Sequence, residues 1–187
     1  MRWGSLRALG VRVFAVAVIA VPLSAEDVGA IVGWGDQVIV PQSQLTDLAA
    51  VAAGAYHSVG LNHGGEIVAW GDNAYGQCNV PSVNGDFIAV ASGAYHCLGL
   101  RADHSVAAWG RNDYGQCDVP TPNSNFIAIA GGGGYENGHS LGLRDDGSIV
   151  AWGRDNSGQC DVPTPNTDFT AVAAGGVEIW IGAEPTF

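Results

Sequence analysis

From residue 48 onward, apolar residues come in short bursts separated by glycine, asparagine, aspartate and proline, and the bursts recur. One phrase reads AVAAGAYHSVGL from Ala50, AVASGAYHCLGL from Ala89 and AIAGGGGYENGHSLGL from Ala128. A second follows each of them: IVAWGDNAYGQCNVP from Ile67, VAAWGRNDYGQCDVP from Val106 and IVAWGRDNSGQCDVP from Ile149. The Trp-Gly pairs at Trp34, Trp70, Trp109 and Trp152 are spaced by 36, 39 and 43 residues. The longest spacing holds a four-residue insertion around Gly134 to Asn137. A fixed period of this length is the mark of stacked repeats, each burying its apolar face against the next.

Each period divides into four strand-like pieces. In the middle repeat these are FIAVA from Phe87, HCLGL over 96–100, SVAAWG over 105–110 and a short CDVP over 117–120. The second and third are joined by a tight turn, clearest at Asp145-Asp146-Gly147-Ser148, with counterparts at Asn62 to Gly65 and Ala102 to His104. Asp-Gly between apolar runs is a strong hairpin signal. The fourth piece stops at Pro81, Pro120 or Pro163, which suits an outer edge where no N–H donor is needed. Helical periodicity is absent. The expected fold is therefore all-β: β-propeller blades of about four short strands, in about four repeats. The repeats run over about 49–81, 88–120 and 127–163, flanked by a half-repeat at 31–41 and another at 169–182. Two closures are open, a four-blade ring sealed by the terminal halves or an open partial propeller.

The first 25 residues differ from the rest. Arg2, Arg7 and Arg12 precede a short apolar run, Val13 to Val21, and Pro22-Leu23-Ser24-Ala25 offers a small-residue cleavage site. The segment reads as a signal peptide, with 26–187 as the repeat domain, and the run is too short to span a bilayer. The expected location is secreted or periplasmic, with no membrane contact after cleavage. The chain has 7 basic and 18 acidic residues and no lysine. Removing residues 1–25 leaves four arginines against those 18 acids, a net −14. A surface so acidic repels phosphate backbones and anionic lipids, which argues against nucleic acid as a partner.

Three elements of these phrases resemble the regulator of chromosome condensation repeat. They are Gly-x-x-His-Ser-Leu at 54–59, 93–98 and 136–141, the Asp-Gly turn, and Trp-Gly-x-Asn-x-Tyr-Gly-Gln at 70–77 and 109–116. The resemblance spans nearly all of 30–175. It implies a β-propeller, usually of seven blades, and says little about activity. The wording IVAWGDN…YGQ…VP is also similar to secreted members of this family that inhibit β-lactamases. That likeness implies that Tyr56, Tyr95, Asp72, Tyr75 and Tyr114 contact a target enzyme. Nucleotide exchange on a small GTPase, the family's nuclear activity, does not suit an exported, acidic and short chain.

Residues that recur at one place in every repeat are expected to be structural. His57, His96 and His139 should hydrogen-bond turn backbone, and Trp70, Trp109 and Trp152 should pack between blades. Cys78, Cys117 and Cys160 occupy equivalent positions, too far apart to bond one another, and behave as small apolar residues. Cys97 is extra, and a bridge from it to a neighbouring blade is one possibility on an export route. Two recurrent ligand types per blade make no four-ligand cluster, so no metal is expected, and no cofactor. Gly131 to Gly134 lacks the Gly-Lys-Ser/Thr of a phosphate loop. Asp103, Asp145 and Asp146 fit turn chemistry. With no unique nucleophile or base, the chain is not read as an enzyme.

What varies between repeats is the loop after Trp-Gly and the residue before the recurrent His. The candidate binding residues are Tyr56, Asp72, Asn73, Tyr75, Tyr95, Arg111, Asn112 and Tyr114. Tyr and Arg are the side chains most often found at binding hot spots. The expected function is a secreted, non-catalytic repeat scaffold that binds an extracellular protein. The alternatives are an inhibitor of an extracellular or periplasmic enzyme such as a β-lactamase, and a glycan-binding propeller. Open blade edges would also invite a homo-oligomer.

Overall fold

The computed structural model describes residues 41–134 and 138–176. The expected signal peptide, the half-repeat at 31–41 save Pro41, Tyr135, and the end of the last half-repeat lie outside the described residues. Blade 1 contains β1 (Leu48–Ala53), β2 (His57–Asn62) and β3 (Ile67–Gly71). Blade 2 contains β4 (Phe87–Ser92), β5 (His96–Arg101) and β6 (Val106–Gly110). Blade 3 contains β7 (Phe126–Gly132), β8 (His139–Arg144) and β9 (Ile149–Gly153). Each blade is an antiparallel sheet in chain order. The first strand of each carries a bulge at the same place, between Leu48 and Ala50, Phe87 and Ala89, and Phe126 and Ala128. The hairpins form where the sequence puts them, with Gly65, His104 and Gly147 taking the left-handed conformation.

The fourth expected strand is not part of the sheets. In its place a single amide completes the edge of each third strand. Asn123 Oδ1 accepts from Val106 N–H at 2.8 Å, and its Nδ2 donates to Val106 O at 2.9 Å. Asn84 does the same for Ile67, and Asn166 for Ile149. The Cys-x-Val-Pro segment is instead closed on itself, since Val119 N–H donates to Cys117 O. One side-chain amide thus offers the donor and acceptor that a neighbouring strand would have offered.

The core lies between blades. Ala52, Val59, Leu61 and Ile67 of blade 1 pack against Phe87, Val90, Cys97 and Trp109 of blade 2. Ala91, Leu98, Leu100 and Val106 of blade 2 pack in the same way against Phe126, Ile129 and Trp152 of blade 3. A recurrent glycine makes room for the aromatic residue, because a Cβ at Gly99 would sit 2.6 Å from the Phe87 ring. Trp109 and Trp152 lie between blades as expected, whereas Trp70 is half-buried on the outer face of blade 1. Trp109 Nε1 donates to Gln77 O and Trp152 Nε1 to Gln116 O, each at 3.0 Å, and both are buried.

Residues 169–176 run along blade 3 without joining a sheet. Phe169 N–H donates to Gly147 O, as Phe87 does to Gly65 and Phe126 to His104. The described blades stack in order, 1 on 2 and 2 on 3, as an open partial propeller. Among the described residues no helix is long and apolar enough to cross a membrane.

Candidate binding surface

Two loops meet at one end of every blade: the turn between the first and second strands, and the loop after Trp-Gly. The glycine of that pair is what allows it. Gly71 has φ +104°, and a Cβ there would lie 2.5 Å from Tyr56 O. The chain therefore turns close enough for Asp72 N–H to donate to Tyr56 O, and Arg111 N–H to Tyr95 O.

The loop after Trp-Gly is held by its own side chains. Gln77 is fully buried; its Oε1 accepts from Tyr75 N–H and its Nε2 donates to Asp72 at 2.6 Å. Asn73 Oδ1 accepts from Cys78 N–H and its Nδ2 donates to Asn79. Asn112 repeats this with Cys117 and Asp118. Three of the expected contact residues, Asp72, Asn73 and Asn112, are thus engaged in loop geometry. Gln77 and Gln116 were not singled out from the sequence, although their recurrence in Gly-Gln-Cys carried the signal.

The aromatic candidates and Arg111 do come together. Tyr95 lies beneath, 7% exposed, with the rings of Tyr56 and Tyr75 packed on it. Tyr75 meets it edge-on at 5.3 Å between ring centres, and Tyr56 meets it at 6.0 Å. The Arg111 guanidinium lies 4.8 Å above Tyr75 and donates to Asp113 at 2.6 Å. Tyr56 stands out at 68% exposed. Tyr114 belongs to a separate pair, with Arg154 over its ring at 4.7 Å. Arg111 and Tyr114 border a shallow depression floored by Tyr95, His96 and Gln116.

Two of the recurrent histidines, His57 and His96, reach side chains of the next blade where turn backbone was the expectation. His57 Nε2 lies 3.0 Å from Cys97 Sγ and 2.9 Å from Ser92 Oγ. His96 Nε2 lies 3.0 Å from Ser140 Oγ, which donates to Gln116 O. Burial lowers the His57 pKa to about 4, against a smaller opposing pull from Asp72, and that of His96 to about 3. Both rings are neutral near pH 7. Cys97 is free and fully buried, with its thiol in hydrogen-bond contact with His57 where a bridge was one expectation, and burial raises its pKa. Cys78, Cys117 and Cys160 are also free, and each thiol donates to the backbone carbonyl six residues earlier. Among the described residues no cluster of His, Cys, Asp and Glu is placed to hold a metal ion.

The family model for the regulator of chromosome condensation (RCC1) repeat matches residues 49–77, 87–116 and 137–159. Solved structures with this fold include yeast RCC1 (Prp20) bound to Kap60, at 24% identity and TM-score 0.56 over 69% of this chain and 40% of that one. Prp20p of Saccharomyces cerevisiae, described with its binding to Gsp1p and histones, aligns at 25% identity and TM-score 0.53 over 64% and 33%. The ectodomain of the Physcomitrella patens receptor kinase CR4 aligns at 27% identity and TM-score 0.55 over 68% and 36%. The chain thus spans 33–40% of the length of these relatives. No curated protein matches it. The first two family matches cover blades 1 and 2 and the third covers β8 and β9 of blade 3, so the described blades are RCC1 repeats stacked as in a β-propeller.

Proposed function

We propose that this chain is a non-catalytic scaffold that binds a protein outside the cytoplasm, through the Tyr56, Tyr75 and Arg111 surface. The observation that carries the reading is the stack itself. An exposed Tyr56 is braced on a buried Tyr95, and Tyr75 is held between Tyr95 and Arg111. Rigid aromatic side chains beside an arginine lose little conformational entropy on binding, which is why such clusters dominate protein interfaces. Two of the similar structures are of propellers with named protein partners, and a third is a receptor ectodomain. Export rests on the basic, apolar and small-residue order of the first 25 residues.

The test is affinity capture from the native extracellular fraction, with the exported chain and its Tyr56→Ala variant as baits. Truncating an exposed hot-spot tyrosine should weaken capture about tenfold or more, with thermal stability unchanged. Equal capture by both baits removes this surface from the proposal. Competition by free sugars replaces the protein reading with the glycan one, and inhibition of a β-lactamase by the bait would name the enzyme class.

A further inference from the structure

The repeat permits a position-by-position comparison of what covers each blade. Val90 in blade 2 and Ile129 in blade 3 are 4% and 9% exposed, packed on the blade before them. Val51, their equivalent in blade 1, is 48% exposed. Trp70 is only half-buried where Trp109 and Trp152 are buried. Among the described residues its indole meets no acceptor, whereas its equivalents donate to Gln77 O and Gln116 O. The opposite face of blade 3 shows the converse. Leu141, Ile149 and Gln159 are half-buried, while their equivalents Leu98, Val106 and Gln116 are buried. The described arc therefore presents the two complementary halves of a blade-to-blade interface, one at each end.

We propose that the occupant of the blade 1 face is a second copy of this chain, joined head to tail by blade 3. The surface shown twice within the chain to fit a face of this type is the far face of another blade, and blade 3 carries one. Residues 169–176 lie partly across it, held through Phe169 N–H to Gly147 O and Gly133 N–H to Gly175 O. Leu48 of the next copy is the register equivalent of Phe169, and it arrives in a three-strand sheet that supplies a much larger apolar face. Blade 1 therefore displaces the segment. The contact is heterologous, so it leaves one free end of each kind on every open assembly and closes only as a ring.

The polarity makes the idea testable with the exported chain. Val51→Glu disables one end and Leu141→Glu the other; circular dichroism confirms that each is folded. In case Leu141→Glu fails to fold, Val162→Glu disables the same face nearer the surface. The wild-type chain should exceed monomer mass by light scattering at micromolar concentration, and each variant alone should be monomeric. An equimolar mixture should form a one-to-one pair, because each variant keeps the end the other has lost. A wild-type monomer overturns the proposal, as does self-association of the Leu141→Glu variant, or a mixture that stays monomeric.

Discussion

The imidazole of His57 and the thiol of Cys97 lie 3.0 Å apart, nitrogen to sulfur, in neighbouring blades and 40 residues apart in sequence. In the next interface His96 meets Ser140 in the same way. A neutral ring is part of both interfaces, and four consequences for stability follow from these inter-blade bonds and the side-chain staples beside them.

Acid should loosen the stack. The folded-state pKa of His57 is depressed to about 4 and that of His96 to about 3, both chiefly by burial. The unfolded chain takes up these protons near the ordinary value of about 6.5, and the folded chain does not. The stability they contribute is therefore complete above about pH 6.5 and is lost as pH falls toward 4 and then 3, on the order of 3 kcal/mol for His57. Thermal melts between pH 7 and pH 3.5 should fall, and a His57→Gln variant should fall less steeply. Parallel curves for the two proteins would remove His57 from the explanation.

Position 97 should accept serine. Ser140 already occupies the equivalent place against His96. Cys97→Ser keeps a polar partner for His57 Nε2 and should change stability by about 1 kcal/mol or less. Cys97→Ala removes the partner without adding volume and should cost about 1–3 kcal/mol, although Ser92 still faces the ring. Urea titration of the two variants separates them, and an equal loss would mean that packing alone matters there.

Trp109 joins blades 1 and 2 by area and by one hydrogen bond. Trp109→Ala should cost about 3–5 kcal/mol, the range for deleting a large buried aromatic. Trp109→Phe keeps most of the apolar contact and leaves Gln77 O without its indole donor, for about 1–3 kcal/mol. A loss below about 1 kcal/mol for the alanine variant would contradict the buried position.

Asn123 should be harder to replace than its exposure suggests. Asn123→Ala leaves Val106 N–H and C=O without their shared partner, at about 1–3 kcal/mol. Asn123→Asp keeps the acceptor, loses the donor and brings a carboxylate to a carbonyl. It should be at least as destabilising above pH 5 and recover in part as the carboxylate protonates below pH 4. Hydrogen exchange at Val106 reads the same bond directly, and unchanged protection in both variants would count against the staple.

The amino-acid order alone determined the period, the three strands of each blade and the hairpin turns between them. It also marked the tryptophans as interface residues. These features are local: apolar alternation, a turn residue with the right backbone freedom, and repetition that tells scaffold from variable loop. The partners of the recurrent side chains were decided by the tertiary structure. His57 and Cys97 carry no sequence sign of their contact, because the blade-to-blade stacking that brings them together is long-range. Asn84, Asn123 and Asn166 look like ordinary loop residues until their amides meet the edge of a third strand, and there they take the place expected of a fourth. Tyr56 and Tyr95 read alike along the chain. Only packing buries Tyr95 and leaves Tyr56 exposed, since exposure depends on which neighbouring blade covers a side chain.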